Sequence, residues 1–211
     1  MSELTPRERR HQRTKESILA AARTIIASDG TEGLSIRAIA DAIDYSPAGL
    51  YEYFGGKEEI ISAVCGQGHL RLRQEMLLVD RQLPAADFLV QIGLRYVRFA
   101  VENPDYFLLM FTTESGGSEL GDDSEEGAIP AGMLSEGSSF PILLSAIQRG
   151  IEEGAFTPRP GFGLMQMAYG AWAAVHGLAM LRITFARYLT LDYADADRLA
   201  LESFARGLFQ P

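Results

Sequence analysis

The sequence predicts an all-α fold, and three observations lead to that prediction. Apolar residues recur at spacings of three and four along most of the chain, which is the periodicity of one buried helical face. Ser, Asn or Pro stands before several of these segments, and Gly or Pro follows some of them, as at helix ends. No segment shows the alternation of a half-buried strand. With 211 residues, 47% of them hydrophobic, the chain can bury a core in one or two domains.

The first predicted helix runs from about Thr14 to Ser28, and Gly30 stands just past its end. A glycine there favours the left-handed conformation that commonly ends a helix. The apolar face of this helix consists of Ile18, Ala22, Ile25 and Ile26. We expect this face to pack against the two helices that follow.

Two short helices around a tight turn are predicted at about residues 35–54. Ser35 is placed to cap the first, whose buried face follows the spacing i, i+3, i+4 and i+7. That face consists of Ile36, Ile39, Ala40 and Ile43. Ser46 is placed to cap the second helix, with Pro47 at its first position, where a missing N–H costs nothing.

The second of these helices has a surface suited to DNA. Pro47, Ala48 and Gly49 are small, so the helix start can lie close to base edges. Tyr51 and Tyr53 carry hydroxyls that can bind bases or phosphates. The pattern therefore predicts a DNA-binding helix-turn-helix, and the alternative is an ordinary helical hairpin without DNA contact.

These motifs resemble those of the TetR family of bacterial transcriptional regulators. The resemblance covers roughly Thr14 to Val64 and includes R-x-I-A, S-P-x-x-L-Y-x-Y-F and K-E-E-I. It implies that phosphates are held by Ser35, Arg37, Tyr51 and Lys57. It also implies that the residues at or near bases are Ser46, Pro47, Ala48, Gly49 and Tyr53. Asp44 stands where members usually have Gly, which accepts a left-handed turn more readily.

The net charge of −9 is unevenly distributed. Residues 1–15 carry five basic side chains against two acidic ones, and the acidity lies beyond the helix-turn-helix. The basic side chains are Arg7, Arg9, Arg10, Arg13 and Lys15. This stretch is predicted to precede the first helix, either as an arm that contacts phosphates or enters a groove, or as a solvated tail.

Further helices are predicted after Lys57. One runs towards Val79 and could transmit changes between the two parts of the chain, and another runs from Pro84 to Asn103-Pro104, where the next begins. Residues 112–138 are acidic and rich in Gly and Ser, so we expect a loop there without apolar periodicity. The last three predicted helices are approximately Phe140–Glu153, Phe162–Tyr188 and Ala194–Leu208.

The later part of the chain resembles the C-terminal domain of one TetR subgroup, named for its Trp, His and Gly. Those residues are Trp172, His176 and Gly177 here, and the segment Arg95–Phe111 also fits. In the family, the last two helices of each subunit form a dimer interface. Gly163, Gly170 and Gly177 recur every seven residues. They suit either that interface or close packing within the subunit.

Aromatic and sulfur-containing side chains are abundant in this part of the chain. They are Phe99, Tyr106, Phe107, Met110, Phe111, Met165, Met167, Tyr169, Trp172 and Met180. They form either an ordinary core or the lining of an apolar cavity for a small apolar or amphipathic effector. The candidate ligand-binding residues are Phe107, Phe111, Trp172 and His176, and His176 would orient the ligand if it is not simply a satisfied core residue.

Other classes of function find little support. The single cysteine, Cys65, permits no intramolecular disulfide and fits a reducing compartment, and the charged N-terminus does not resemble a signal peptide. Residues 160–181 are uncharged and long enough to span a bilayer, but Gln166 and His176 interrupt them, so we expect a buried helix. No metal, cofactor or catalytic motif is evident.

We therefore expect a cytoplasmic homodimeric regulator that binds double-stranded DNA and has no enzymatic activity, cofactor or membrane partner. Residues 1–60 would form the DNA-binding domain, and residues 61–211 the effector-binding and dimerisation domain. A repressor released by its effector is the main hypothesis. The alternatives are a ligand-responsive activator and a protein-interaction module on the same fold.

Overall fold

The computed structural model describes residues 5–112, 131–135, 137–185 and 188–208, and the regular elements in these ranges are all helical. The α-helices are α1 (Pro6–Gly33), α2 (Ile36–Ala42), α3 (Pro47–Leu50), α4 (Lys57–Leu77), α5 (Ala85–Glu102), α6 (Pro104–Thr112), α7 (Phe140–Glu152), α8 (Leu164–Thr184) and α9 (Tyr193–Gly207). A 3₁₀-helix covers Ala131–Leu134. The prediction of an all-α fold is confirmed. Most of the predicted acidic loop lies outside the described residues.

The chain divides into two compact units. Among the described residues, the first unit contains 5–68 and 108–112, and the second contains 69–107 and those from 131 onwards. The division falls within α4, between Gly68 and His69, whereas the sequence analysis placed it after residue 60. The functional division of the chain into domains therefore stays a prediction.

The first helix begins earlier than predicted, at Pro6 instead of about Thr14. Thr5 forms a capping box with Glu8: the Thr5 hydroxyl accepts the Glu8 N–H, and the Glu8 carboxylate accepts the Thr5 N–H. The expectation of a basic arm that precedes the first helix was therefore wrong, because its side chains stand on α1 itself. Gly30, with φ of 68°, interrupts α1 as the left-handed glycine expected near the helix end.

In the first unit, the predicted apolar faces of α1 and α2 are buried in part, and Ile25, Ile26, Ile36 and Ile43 are half-buried. Ile18 and Ala22 of α1 are buried, as are Ile39 and Ala40 of α2. Leu50 of α3 is also buried, and α3 packs against α2. This packing fixes where the short α3 stands, so that its other side chains remain at the surface.

In the second unit, α5 is the central helix and packs against α7, α8 and α9. It has a strongly apolar face, and Gly93 on that face permits a close approach. A Cβ atom there would lie 3.0 Å from side-chain atoms of Leu201 and Val175. No described helix is long and apolar enough to cross a membrane.

Candidate nucleic-acid interface and buried aromatic network

Two serine caps define the helix-turn-helix of the first unit. Ser35 Oγ accepts the Ala38 N–H at 3.1 Å, and Ser46 Oγ accepts the Gly49 N–H at 3.0 Å. Both predicted caps are therefore present. Each hydroxyl still has its proton to donate, so capping leaves these exposed serines able to bind a phosphate or base acceptor.

The turn between α2 and α3 depends on a left-handed residue. Asp44 has φ of 52° and is the one non-glycine residue with positive φ among those the structure describes. Asp tolerates this conformation better than most residues because its short polar side chain can bond locally, although glycine adopts it more easily. The turn is therefore formed with Asp at the position where the resemblance leads us to expect Gly.

Helix α3 is only one turn long, and it presents small residues to solvent. Pro47 and Ala48 are exposed, and Tyr51, just after the helix, is 59% exposed. Leu50 and Phe54 are buried and anchor this segment to the unit. We call Ser46, Pro47, Ala48, Gly49, Tyr51 and Tyr53 the recognition surface.

Gly49 has a packing role that the sequence analysis missed. A Cβ atom there would lie 2.6 Å from Tyr45 Cε1 and 2.9 Å from Ser46 Oγ. No side chain fits without moving the tyrosine ring or disturbing the cap of α3. A substitution at Gly49 would therefore change the structure of the recognition surface, and only Ala48 offers a clean test of sequence preference at the helix start.

Tyr53 is half-buried and lies between two other rings. The His11 imidazole of α1 stacks on it, with ring centroids 4.6 Å apart and an interplanar angle of 25°. Tyr45 meets it edge to face at 6.1 Å, and the Tyr45 and Tyr53 hydroxyl oxygens are 3.4 Å apart. Sequence reasoning missed His11. Its position four residues before Lys15 and seven before buried Ile18 places it on the packed face of α1.

The two predicted phosphate-binding cations differ in their surroundings. Arg37 on α2 is exposed, whereas Lys57 is half-buried at the first position of α4. The Glu59 carboxylate accepts the Gly55 N–H just before α4, and Glu58 adds another negative charge to the first helical turn. The local charges around Lys57 therefore weaken the anion-binding character that the sequence analysis assigned to this helix start.

The second unit contains a network of aromatic side chains around Tyr96 of α5. The Trp172 indole N–H donates to the Tyr96 hydroxyl at 3.4 Å, and that hydroxyl lies 3.1 Å from His176 Nδ1. Phe107 packs 5.3 Å from the His176 ring, and Phe140 lies 6.1 Å from Trp172. We call Tyr96, Phe107, Phe140, Trp172 and His176 the aromatic network.

Burial sets the protonation states in this network. Burial lowers the pKa of His176 below its ordinary value, so the imidazole is neutral near pH 7. Burial raises the pKa of Tyr96, and the hydrogen bond from Trp172 opposes that shift. The Tyr96 hydroxyl can then donate to His176 Nδ1 while it accepts from Trp172, which gives the indole N–H an acceptor and one imidazole nitrogen a donor.

The structure unites three of the four predicted ligand-binding residues. Phe107, Trp172 and His176 belong to the aromatic network, whereas Phe111 falls in the first unit and is half-buried. Sequence reasoning missed Tyr96 as a site residue. The clue was a tyrosine on an apolar helical face, because a buried hydroxyl needs a hydrogen-bond partner.

The three glycines at seven-residue spacing do not share one role. Gly163 is the N-cap of α8, and a Cβ at Gly170 would lie 3.3 Å from Phe204 of α9, so Gly170 serves packing within the subunit. A Cβ at Gly177 would meet nothing within 4 Å. Gly170 thus fits the alternative of close packing within the subunit, and a role of Gly177 in a dimer interface stays a prediction.

An exposed apolar surface runs along the same helix. We call it the α8 surface, and it consists of Met165, Tyr169, Ala173, Gly177 and Leu181, with Phe185 just after the helix. Tyr169 is 70% exposed and Phe185 is 62% exposed. No member of this surface carries a charge.

Comparison with protein families gives two matches along the chain. The family model described as bacterial regulatory proteins of the tetR family matches residues 18–64, which hold the helix-turn-helix. A second, described as a tetracyclin repressor-like C-terminal domain, matches residues 89–206, more than half of the chain.

A curated relative is similar in sequence, and two solved structures are similar in fold. The helix-turn-helix transcriptional regulator YobS of Bacillus subtilis (strain 168) is 27% identical over 94 residues, which span 44% of this chain and about half (49%) of the relative. A tetR-family regulatory protein from Rhodococcus RHA1 has a TM-score of 0.67 at 22% identity, covering 92% of this chain and 96% of that one. The fatty acid degradation regulator FadR from Bacillus halodurans has a TM-score of 0.72 at 13% identity over the full length of both chains.

Proposed function

Because the chain belongs to the TetR family of bacterial regulatory proteins, we propose that it binds a near-palindromic DNA operator as a homodimer and is released from it by a small molecule. DNA binding and transcription regulation follow from the family itself. Repression, operator symmetry, effector release and membership of the Trp-His-Gly subgroup are the proposed refinements.

The observation that carries the proposal is the geometry of the recognition surface. A left-handed Asp44 and a Ser46 cap hold a single helical turn whose start, Pro47 and Ala48, is small and exposed. Such a start can approach base edges in a major groove, while Tyr51 reaches outward to a phosphate. Ser35, Arg37 and Lys57 supply further phosphate contacts in this proposal.

The α8 surface supports the dimer. Large apolar side chains such as Tyr169 and Phe185 are exposed on this surface, whose members carry no charge, and such a patch marks a protein interface. A second copy of the same surface gives a two-fold interface, and a two-fold dimer presents two recognition surfaces. The expected operator therefore has two half-sites about 34–36 Å apart, or a multiple of that distance.

The aromatic network supports the effector site. The half-buried Trp172 offers apolar ring surface, and the neutral His176 offers a polar atom to orient a ligand, whereas Phe107 is fully buried and supports the His176 ring. The ligand in this proposal is a small apolar or amphipathic molecule, and α4, which starts in the first unit and ends in the second, carries the change between them. A ligand-responsive activator would use the same two sites. The position of the operator relative to a promoter decides whether DNA binding represses or activates transcription.

The test is selection of bound duplexes from a random DNA pool, followed by protection mapping of the selected site. We expect two protected half-sites related by two-fold symmetry and a complex containing two chains. Protection of one asymmetric half-site by a single chain would contradict the dimer proposal. Absence of any selected sequence would overturn operator binding and favour the protein-interaction module.

A separate titration tests release. Typical coupling between effector and DNA is about 1–3 kcal/mol, or roughly 5- to 150-fold in operator affinity. Thermodynamic reciprocity requires the operator to weaken ligand binding by the same factor. A ligand found by thermal-shift screening should therefore bind more weakly to the operator complex, and Trp172→Ala should weaken its binding to the free protein. Equal affinity with and without operator would contradict the release mechanism.

A further inference from the structure

Helix α1 begins at Pro6, twelve residues before the segment that matches the TetR family model. We call residues 6–17 the α1 extension. Its first turn is stabilised by the Thr5 capping box and by Pro6 at the first helical position. The extension is therefore a preformed helix with an ordered start, which can place a side chain precisely.

One face of the α1 extension packs on the segment that follows α3. The Lys15 ammonium lies 5.0 Å from the centre of the Phe54 ring, and His11, one helical turn earlier, stacks on Tyr53. These two contacts continue the packed face that begins with Ile18 and Ala22. Arg9 and Arg13 lie on the opposite side of the helix, since they are two residues from His11 in either direction.

Tyr53 is held from two sides by these contacts. His11 covers one face of its ring, and Tyr45 meets it edge to face, with the two tyrosine hydroxyl oxygens 3.4 Å apart. Gly49 leaves the space in which the Tyr45 ring lies. A side chain that is ordered before binding loses less conformational freedom when the complex forms.

We propose that His11 is a positioning residue for DNA recognition, which stacks on Tyr53 and holds its ring in one orientation on the recognition surface. This inference rests on the proposed function, because it assigns Tyr53 a place at the DNA. The His11 side chain is exposed, so its stacking contributes little to the fold of the first unit. Its effect falls on the affinity for the specific site.

The experiment measures binding of the full chain to two short duplexes by fluorescence anisotropy. One duplex carries the sequence that the wild-type protein selects from a random pool, and the other has mixed sequence and the same length. The variants are His11→Ala, His11→Phe, which keeps an aromatic ring, and Gln12→Ala as the control at the adjacent exposed position.

We expect His11→Ala to weaken binding to the selected duplex by about 2- to 12-fold, the range that one aromatic pair supports. Binding to the mixed duplex and the dependence of affinity on salt should stay unchanged. His11→Phe should restore binding to within about 2-fold of wild type, since a phenyl ring can still stack. Thermal unfolding should be the same for all variants.

A second variant separates stacking on Tyr53 from any other role of His11. In a Tyr53→Leu background, His11→Ala should have no further effect on binding, because the stacking partner is already absent. Additive losses in the double variant would overturn the proposal. The proposal would also fail if His11→Ala and Gln12→Ala had the same affinity for the selected duplex.

A contact between His11 and phosphate is a distinct outcome. It would lower the slope of log affinity against log salt by about 0.9 in both His11 variants, and that result would overturn positioning. Failure of the proposed function looks different, because the wild-type protein itself would then select no sequence. If the wild-type protein selects a site and the His11 variants bind it with unchanged affinity, only this inference is overturned.

Discussion

The two units of the molecule place their functional side chains in different ways. In the first unit, Ser46 caps α3 through Gly49, three residues further on, and Asp44 sets the turn by its own backbone conformation. In the second unit, Tyr96 meets Trp172 and His176 across 76 and 80 residues of sequence. The recognition surface is determined mainly by local structure, and the aromatic network by packing between helices.

This difference has a thermodynamic consequence. Substitutions in the aromatic network, or in ion pairs between helices of the second unit, should mainly change stability. They leave polar or charged partners without a hydrogen bond or a counter-charge. Substitutions on the exposed recognition surface should mainly change DNA binding. Trp172 is the only tryptophan in the chain, so its fluorescence reports unfolding of the second unit alone.

The largest effect on stability is expected from Arg182→Met in the second unit. Arg182 of α8 pairs with Asp197 of α9, whose side chain is 7% exposed, and stacks 4.5 Å from the centre of the Tyr193 ring. Removal of the guanidinium leaves a buried, unpaired carboxylate, so the free energy of unfolding should fall by about 3–5 kcal/mol. Denaturant unfolding followed by Trp172 fluorescence measures it.

The matched control for that variant is Arg98→Met. Arg98 pairs with Glu102 on the exposed surface of α5, where both side chains are more than half exposed. Its loss should change the free energy of unfolding by at most about 0.5 kcal/mol. Equal effects of Arg182→Met and Arg98→Met would contradict the assignment of a structural ion pair between α8 and α9.

The next effect is expected from Tyr96→Phe, which removes one oxygen from the aromatic network. The Trp172 N–H would lose its acceptor and His176 Nδ1 its donor. The free energy of unfolding should fall by about 1–3 kcal/mol. Tyr51→Phe removes the same atom from an exposed side chain outside the proposed dimer interface and should have little effect on the free energy of unfolding. A silent Tyr96→Phe variant would show that the network contributes nothing to stability.

A smaller effect is expected at the turn of the first unit. Asp44→Ala keeps a Cβ at a left-handed position but removes the short polar side chain, so it should lower stability by about 0.5–1 kcal/mol. Asn tolerates this conformation as Asp does, and Asp44→Asn is the control. Circular dichroism of thermal unfolding compares the variants. If Asp44→Gly proved less stable than Asp44→Ala, the assignment of a left-handed conformation to residue 44 would be wrong.

The smallest effect concerns pH and His176. Because burial lowers the pKa of His176 below its ordinary value of 6.5, the unfolded chain binds a proton more readily than the folded one. The free energy of unfolding should therefore fall as the pH drops below about 6.5 towards the folded pKa. His176→Gln should flatten this dependence. The effect is modest because His176 is only half-buried. If His176→Gln showed the same pH dependence as the wild type, His176 would not be the cause of that dependence.

The same contrast explains what the sequence could predict. The Ser35 and Ser46 caps, Pro47 at the start of α3 and the turn at Asp44 were found because each follows from neighbouring residues. The early start of α1 was missed, since the basic composition of residues 1–15 suggested an arm and the Thr5 capping box was overlooked.

Contacts between distant elements escaped sequence analysis. Three contacts depend on how helices pack: His11 on Tyr53, Gly170 against Phe204, and Tyr96 between Trp172 and His176. Periodicity indicates which face of a helix is buried, but it does not identify the partner on the other helix. The roles of the recognition surface at DNA stay predictions for the same reason, because the partner is another molecule.

The most direct measurement of the central claim is DNA-site selection with three proteins: wild type, Ala48→Arg on the recognition surface and Tyr96→Phe in the aromatic network. If the first unit alone reads the sequence, Ala48→Arg should select a different site, because a long cationic side chain at the start of α3 makes new base contacts. Tyr96→Phe should select the wild-type site. An unchanged site for Ala48→Arg, or a new site for Tyr96→Phe, would contradict the account.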